Sequence, residues 1–202
     1  MLRLGLTGGI ASGKSAVAAM LREIGFAVLD ADSLAHKLIE PGQPACDEVL
    51  KQFGSSITDP SGRIDRTKLG AIVFADRRKL DRLNAIVHPL VAEVIFGQFE
   101  VWRRGGVRDA VFVEAALLVE SGIHKKLDGL VVVWCTPEQQ LERLLARGLS
   151  ETEARRRIAA QLPIEEKLRL AAEKIDCSGS LEQTRRQVEA LAGKLRRAHP
   201  SQ

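Results

Sequence analysis

The fold is decided by Gly8-Gly9-Ile10-Ala11-Ser12-Gly13-Lys14-Ser15, which matches the pattern G-x-x-x-x-G-K-[ST]. An apolar run at residues 2–7 precedes this stretch and predicts a buried strand that enters a glycine-bearing turn. Apolar residues then recur at helical spacing over residues 17–24, and Gly25 follows as a C-terminal cap. The motif therefore lies between a predicted strand and a predicted helix, which is the context that a phosphate-binding loop requires.

The positions of this motif have physical roles in binding nucleotide phosphates. Glycines let backbone N–H groups turn inward around phosphate oxygens, and the N-terminus of the following helix adds a positive dipole. Lys14 is predicted to neutralise charge on the β- and γ-phosphates of ATP, and Ser15 Oγ to bind Mg²⁺. The alternative is a tight turn with an incidental lysine, but a chance match in such a chain has a probability on the order of one per cent.

Length and composition indicate one compact protein with a small anionic partner. The chain has 202 residues, 45% of them hydrophobic, and its 30 Lys and Arg are interleaved with 26 Asp and Glu. Three widely spaced cysteines argue against a disulfide framework or a zinc site. No cationic leader is evident, and no apolar run approaches the ~20 residues that cross a bilayer. We therefore expect a cytoplasmic protein, a monomer or weak homo-oligomer, that binds neither nucleic acid nor membrane.

Further strands are predicted at residues 26–30, 110–114 and 130–134, with a fifth near residues 174–176 that rests partly on the resemblance described below. Their β-branched, non-alternating character is typical of a parallel sheet that is covered on both faces. The sequence thus predicts an α/β core.

Two helical segments are predicted as attachments to this core. About eighty residues separate the second and third strands, which is more than a crossover connection needs. They begin with a turn-rich stretch at residues 40–62 and continue with helical apolar spacing at residues 69–90, which predicts an inserted lobe. The second segment begins at Thr136, a predicted N-cap, with Pro137 at the first helical position. A further helix is predicted later in this segment, and Pro163 is expected to interrupt it.

Carboxylates follow two of the predicted strands, where ligands of open parallel sheets gather. Asp32, two residues after Asp30, is our candidate for the base that accepts a proton from an attacking hydroxyl. The alternative, that both aspartates only cap the next helix, stays open from the residues alone. Glu114 could hold Mg²⁺ through water or cap the chain near Leu117.

Arginines and one histidine are further candidates. Arg143 and Arg147 are spaced i, i+4 on a predicted helix, and three arginines at residues 155–157 are predicted to begin the next. In a lid that closes over ATP, such arginines would meet charge on the transferred phosphoryl group, although arginine-rich helices are usually only solvated. His88 precedes Pro89 in an apolar helical stretch, where packing is the more common role.

The loop indicates phosphate binding without fixing the class of protein. The N-K-x-D motif of guanine-specific GTPases is absent, because the chain's only asparagine, Asn84, is followed by Ala85. A small-molecule kinase fits best. A nucleoside or nucleoside-monophosphate kinase, and a regulator that uses ATP as a switch or contacts RNA, are the alternatives.

In its motifs and their order the chain resembles the dephospho-CoA kinase family. Residues 6–15 resemble that family's loop, and Asp30-Ala31-Asp32 matches its aspartate pair. The further matching segments are Glu40-Pro41-Gly42, Phe53-Gly54, Ile64-Asp65-Arg66, Val73-Phe74, Leu83-Asn84, Val87-His88-Pro89 and Leu117-Leu118-Val119-Glu120, with Arg143, Arg147, Gln161 and Lys167 in the lid and post-lid pattern. The departures from the family pattern are Ala16, Ala116, Val119, Ala172 and Cys177.

The resemblance implies a three-layer P-loop fold with a five-stranded parallel sheet, in a single domain over residues 1–202. The implied segments are a core at residues 1–59, 96–137 and 164–202, a CoA-substrate lobe at 60–95 and a lid at 138–163. It implies ATP-dependent phosphorylation of the ribose 3′-hydroxyl of dephospho-CoA, the last step of coenzyme A biosynthesis, with Mg²⁺. The implied ATP-binding residues are Gly8, Gly9, Ile10, Ala11, Ser12, Gly13, Lys14, Ser15 and Arg143. The resemblance implies that Asp32, His88 and Leu117 bind the substrate and that Ser15 and Glu114 bind the metal. The catalytic residues that it implies are Lys14, Asp32, Arg143 and Arg147.

Overall fold

The computed structural model describes residues 1–198 and divides into two compact units. Met1–Asp30 and the chain from Gln98 form the first unit, and Ala31–Gly97 form the second. The second unit thus contains the predicted lobe at residues 60–95 together with the chain that leads into it. That this lobe binds substrate stays a prediction.

A five-stranded, all-parallel sheet forms the centre of the first unit. Its strands are β1 (Arg3–Gly8), β2 (Ala27–Asp30), β3 (Val111–Glu114), β4 (Gly129–Trp134) and β5 (Glu173–Asp176). They lie in the order β2-β3-β1-β4-β5, so that β1 is central between β3 and β4. The connections diverge on either side of β1, and in such sheets the carboxyl end of this strand is where ligands bind. The predicted parallel sheet and its five strands are confirmed.

Nine α-helices are present in residues 1–198. They are α1 (Lys14–Glu23), α2 (Ala31–Leu38), α3 (Cys46–Phe53), α4 (Arg66–Ala75), α5 (Arg77–Arg104), α6 (Pro137–Ala146), α7 (Glu151–Ala159), α8 (Ile164–Arg169) and α9 (Leu181–Ala198). Two short 3₁₀ helices lie at Ser55–Ile57 and Ile123–Lys126.

The main apolar core lies between the sheet and helices α1 and α9. Leu6, Phe112 and Val131 of the strands pack in one cluster with Val17 of α1 and Val188 of α9. Burying each such side chain stabilises the fold by about 1.5–3 kcal/mol. All four residues of β3 are buried, so both faces of the sheet are covered, as its lack of alternation predicts.

The N-terminal signals predicted for α6 are confirmed, whereas Pro163 precedes α8 as its N-cap and does not interrupt α7, which ends at Ala159. Thr136 caps α6 with a reciprocal capping box, in which Gln139 returns the hydrogen bond, and Pro137 is the first helical residue. Ser150 Oγ accepts a hydrogen bond from Glu153 N at the start of α7. The predictions for the arginines need correction: Arg147 is the C-cap of α6 rather than a helical residue, and residues 155–157 lie in the middle of α7.

The second unit is helical, and its first half is more regular than the turn-rich sequence predicts. Helix α3 lies inside the stretch that was expected to consist of turns, because Cys46 and Val49 form a buried face that favours a helix. Asp65 caps α4 by accepting hydrogen bonds from Thr67 N and Lys68 N.

Helix α5 is the longest helix of the described chain. By length and composition alone it could cross a membrane, since it has 28 residues with an apolar 18-residue window, of which 22% is buried in the structure. Its buried residues recur about every turn or two and are Leu80, Val87, Val91, Ile95 and Phe99. A single stripe of buried residues is typical of a helix that packs on a protein core. The length and composition of α5 are therefore only weak evidence that it spans a membrane.

Candidate active site

The phosphate loop, residues 8–15, connects the end of β1 to the start of α1 and has a backbone that few sequences could adopt. Gly13 has φ 102° and is the N-cap of α1. Ala11 has φ 59°, in the left-handed region that costs a non-glycine residue free energy. Such strain persists only when the surroundings fix it, and it is common at binding sites.

Close packing explains why glycine is required at the first position of the loop, where the neighbouring atom belongs to the backbone. A Cβ on Gly8 would lie 2.2 Å from the backbone oxygen of Val133, which cannot move without disturbing β4. A Cβ on Gly9 would lie 2.1 Å from Nε2 of Gln140. The glycines thus bring the loop against β4 and α6 and leave its other side to a ligand.

The N-terminus of α1 fits an anion such as the phosphates of ATP. Gly13 supplies no side-chain cap, so the first-turn N–H groups point their dipole at whatever lies in front of the helix. Ser12 Oγ is buried and has no hydrogen-bond partner among the described atoms. An uncapped helix start and an orphaned hydroxyl in one loop are what a phosphate-binding cradle contains before its ligand arrives.

The side chain of Lys14 is largely buried, with 12% exposed. Its Nζ lies 3.0 Å from Oε1 of Glu114, whose side chain is 4% exposed. Arg22 Nη2 lies 3.4 Å from the other oxygen, Glu114 Oε2. Asp30 is the register partner of Glu114 on the neighbouring strand. Charges of both signs therefore gather at the carboxyl ends of β2 and β3.

The predicted metal residues fit Mg²⁺ in part. Ser15 is exposed in the first turn of α1, and Glu114 offers the carboxylate oxygens that Mg²⁺ prefers. Both Glu114 oxygens face cations, so this residue suits a water-mediated contact better than a direct one. Over residues 1–198 no group of three or more His, Cys, Asp or Glu could hold a metal by itself, which is expected where Mg²⁺ keeps most of its waters and phosphate ligands.

Arg143 has a role that the sequence analysis missed. Its Nη1 donates to Ala11 O at 3.0 Å and its Nη2 donates to Cys177 O at 2.8 Å. The guanidinium thereby joins the phosphate loop to the segment after β5 through two carbonyls. Arg147 is exposed at the end of α6 and has no ion pair within the described chain. The two arginines are therefore not equivalent in the structure, although their i, i+4 spacing and the family resemblance group them together.

The segment predicted to be a lid, residues 138–163, contacts the phosphate loop at two further places. Ala11 packs in a small apolar cluster with Leu144 of α6 and Ala154 of α7. Gln161 Oε1 accepts a hydrogen bond of 2.7 Å from Ile10 N. The loop is thus held by the two lid helices and by the residues that follow them.

The other predicted residues are distributed over both units. Leu117 is half-buried in the turn after β3, where its carbonyl oxygen accepts from Ser121 N at 2.9 Å. Asp32 lies in the first turn of α2 and His88 lies in α5 before Pro89, and both belong to the second unit. Their roles stay predictions.

All three cysteines are buried and free, and two of them adjoin the phosphate loop. Burial raises the pKa of the Cys135 thiol and of the Cys177 thiol, and it also raises the pKa of Cys46. Cys177 Sγ lies 3.0 Å from where a Cβ of Gly13 would be. The departure from the family pattern at Cys177 thus fills space beside the loop.

We expect these thiols to be unreactive in the folded protein. A raised pKa leaves little thiolate near neutral pH, and the thiolate is the nucleophile. A chromogenic disulfide reagent at about pH 8 should therefore titrate the three cysteines slowly in the native protein and rapidly in denaturant. Fast reaction of one cysteine in the native protein would contradict its burial.

The comparisons with known proteins give the family. The model of the CoaE dephospho-CoA kinase family matches residues 2–183. A dephospho-CoA kinase from Symbiobacterium thermophilum is 51% identical over 188 residues, which are 93% of this chain and 78% of that protein. One from Carboxydothermus hydrogenoformans is 46% identical over 192 residues, 95% of this chain and 93% of that protein.

Solved structures agree with the sequence relatives. TT1252 from Thermus thermophilus has a TM-score of 0.79 and 37% identity, and the match covers 96% of this chain and 97% of that one. A dephospho-CoA kinase from Campylobacter jejuni has a TM-score of 0.71 and 28% identity, with 97% and 98% covered. Shikimate kinase from Acinetobacter baumannii, at 14% identity and a TM-score of 0.54 with 100% and 96% covered, shares the P-loop fold. With its loop, its sheet order and relatives of this similarity, the chain belongs to the dephospho-CoA kinase family.

Proposed function

We propose that residues 8–15 bind the phosphates of ATP and that Asp32 accepts the proton of the attacking hydroxyl. The reaction is that of the family: ATP phosphorylates the ribose 3′-hydroxyl of dephospho-CoA, giving CoA and ADP in the last step of coenzyme A biosynthesis. The observation that carries the assignment of the loop is the uncapped start of α1 at the end of the central strand.

When phosphates bind, the ammonium of Lys14 has to exchange its contact with Glu114 for contacts with the phosphates. In the structure its ammonium faces Glu114 at 3.0 Å. The β- and γ-phosphates carry more negative charge than one carboxylate, so Lys14 would turn toward them when ATP binds. Arg22, which lies near the second oxygen of Glu114, would then remain as the partner of this buried carboxylate.

Mg²⁺ is part of the proposal. It would be held by Ser15 Oγ and, through water, by Glu114. When bound, it neutralises charge on the phosphates and orients them. The protein's own contribution at this place is a hydroxyl at the start of α1 and the Glu114 carboxylate, which Arg22 contacts.

The chemical step is a displacement at the γ-phosphorus. The 3′-hydroxyl oxygen bonds to phosphorus as the bond from phosphorus to the β,γ-bridging oxygen breaks, and ADP leaves. Asp32 would take the hydroxyl proton, since it follows the carboxyl end of β2 in the chain. Most of the rate would come from positioning and from cations around the transferred group.

Recognition of dephospho-CoA is proposed for His88 and Leu117 besides Asp32. The helical second unit, which contains the predicted lobe at residues 60–95, would supply most of that surface. We further propose that the enzyme works in the cytoplasm as a monomer or weak homo-oligomer, without nucleic acid or membrane.

The acceptor tests this function directly. ADP release, coupled to an optical readout, should be fast with dephospho-CoA and near background with adenosine or AMP. Equal or faster turnover of adenosine or AMP would instead indicate a nucleoside or nucleoside-monophosphate kinase. ATP binding without acceptor-dependent ADP release would indicate a nucleotide-dependent regulator.

The two lid arginines should separate in a matched pair of variants. Arg143→Ala and Arg147→Ala should each lower kcat by about 10²-fold, with a smaller effect on KM for dephospho-CoA, because charge on the phosphoryl group is greatest in the transition state. Only Arg143→Ala should also lower the unfolding temperature, since it removes the bonds to Ala11 and Cys177. Steady-state kinetics and thermal unfolding measure both effects. Wild-type kcat in both variants would make these arginines surface residues.

A further inference from the structure

A buried lysine outside the phosphate loop lies at the centre of a series of polar contacts. The side chain of Lys167 in α8 is 0% exposed. Its Nζ lies 2.8 Å from Glu120 Oε1 and donates to Ala116 O at 2.7 Å. The same carbonyl accepts a hydrogen bond of 3.3 Å from Thr7 Oγ1, at the end of β1. One end of the series is therefore attached to the strand that enters the phosphate loop.

The other end of the series reaches the loop itself. Glu120 Oε1 also accepts from Leu162 N at 3.0 Å, which fixes the backbone where the lid ends. The residue before Leu162 is Gln161, whose Oε1 accepts from Ile10 N at 2.7 Å. The contacts thus run from Lys167 through Glu120 and the lid end to the third residue of the phosphate loop.

Stability alone is a poor explanation for the pair at the centre. Taking both charges out of water costs more than their attraction returns in many proteins, and apolar replacements of buried pairs are often neutral or stabilising. Glu120 Oε2 is moreover buried without a hydrogen-bond partner in the described chain, which adds a further cost. Glu120, whose position Lys167 fixes, provides an acceptor for Leu162 N. Apolar side chains could not provide this acceptor.

A fixed acceptor at this place matters for the conformation of the loop. Ile10 precedes Ala11, whose φ of 59° is unfavourable and must be held by its surroundings. The hydrogen bond from Ile10 N to Gln161 Oε1 is one such restraint. The position of this acceptor depends on the position of the neighbouring backbone at Leu162. Displacements of about 1 Å in a catalytic site can cost as much as 10²-fold in rate.

We propose that Glu120 and Lys167 are positioning residues which, through Leu162 N, keep Gln161 Oε1 on the Ile10 N–H and so hold the phosphate loop in the conformation that transfers the phosphoryl group. Neither residue needs to touch ATP or dephospho-CoA in this role. The inference rests on the proposal that residues 8–15 bind the phosphates of ATP, and it adds a restraint that acts on that loop from the end of the lid.

Amide hydrogen exchange of Ile10, measured by NMR in the ligand-free protein, tests the series at a site that Glu120 does not touch. Gln161→Ala should speed exchange at Ile10 by tenfold or more, because the acceptor is lost. Glu120→Gln, which leaves Lys167 buried without its carboxylate, should speed it as well. If Glu120→Gln does not fold, Glu120→Asp replaces it, since the shorter chain keeps the charge but withdraws the oxygen from Leu162 N.

Kinetics supply the second readout. Each variant should lower kcat by about 10–10²-fold. The double variant Gln161→Ala with Glu120→Gln should lose no more than the worse single one, because both changes remove one restraint. Asp128→Asn is the matched control: it breaks the ion pair of 2.7 Å with Arg3 elsewhere on the sheet, so it should lower the unfolding temperature without changing Ile10 exchange or kcat.

Two results would overturn the inference: unchanged Ile10 exchange in the folded Glu120 variant, or additive losses of kcat in the double variant. Either would make the pair a local structural contact. The proposed function has a separate test. Turnover retained by Lys14→Ala would contradict it, whatever the Glu120 variants show.

Discussion

Lys14→Ala is expected to lower turnover of dephospho-CoA by about 10²–10³-fold, which is the typical loss when a cationic group that stabilises a transition state is removed. The lysine is the only residue of the phosphate loop that carries a full positive charge. Its backbone is fixed by the start of α1, so its ammonium can reach either Glu114 or a phosphate placed before the helix. Coupled ADP release under saturating ATP and dephospho-CoA measures the loss.

The same substitution should reduce stability, which requires a control. Glu114 is buried, and without Lys14 its one remaining cationic partner within residues 1–198 is Arg22 at 3.4 Å, so the carboxylate is left poorly compensated. Adding Glu114→Gln to Lys14→Ala should restore part of the unfolding temperature and none of the turnover. Near-normal turnover of folded Lys14→Ala would show that the loop assignment is wrong.

The strand–loop–helix unit was predictable because its signals are local. The apolar run before Gly8, the glycine pattern and the helical spacing up to Gly25 all act within a few residues, and the observed β1 and α1 follow them closely. The N-cap Thr136 is of the same kind, since its hydroxyl bonds within its own helix. Local chemistry of this type is visible in a single sequence.

The residues that support the loop were not predictable for the opposite reason. Arg143 bonds to Ala11, 132 positions away, and Gln161 bonds to Ile10, 151 positions away. In the sequence, Lys167 looks like an ordinary cation of a charged helix. Only the fold shows that its side chain is completely buried beside Glu120. Partners that are distant in sequence leave no spacing pattern, so the family's lid and post-lid motif marked these positions without giving their contacts with the loop.

These supporting contacts imply that lid and phosphate loop act together. Ile10 N donates to Gln161 and Ala11 O accepts from Arg143, and both partners lie in the predicted lid. Ala11 also shares an apolar cluster with the lid helices. A movement of the lid on ATP binding would therefore change the loop's hydrogen bonds and its strained residue at the same time, which couples closure to the geometry of the phosphates.

Asp32→Asn is expected to lower turnover by roughly 10²–10⁴-fold while leaving ATP affinity nearly unchanged, the range being that of a lost general base. The change keeps the size and most hydrogen-bonding capacity of the side chain and removes its charge. Asp32 lies in the first turn of α2, where a negative charge also stabilises the helix by about 0.3–1 kcal/mol. A loss of that size lowers the unfolding temperature slightly and cannot account for a 10²-fold effect on kcat of the folded enzyme.

Asp30→Asn is the matched control for Asp32, because it makes the same change two residues earlier. Asp30 ends β2 in register with Glu114, the carboxylate that faces Lys14. Its loss should therefore act mainly on the charge balance around Lys14, with a smaller effect on kcat than Asp32→Asn. ADP release and direct ATP binding, measured for both variants, separate the roles. Equal and mild losses would make Asp32 a helix-capping residue, whereas a large loss at Asp30 with little at Asp32 would assign the base to Asp30.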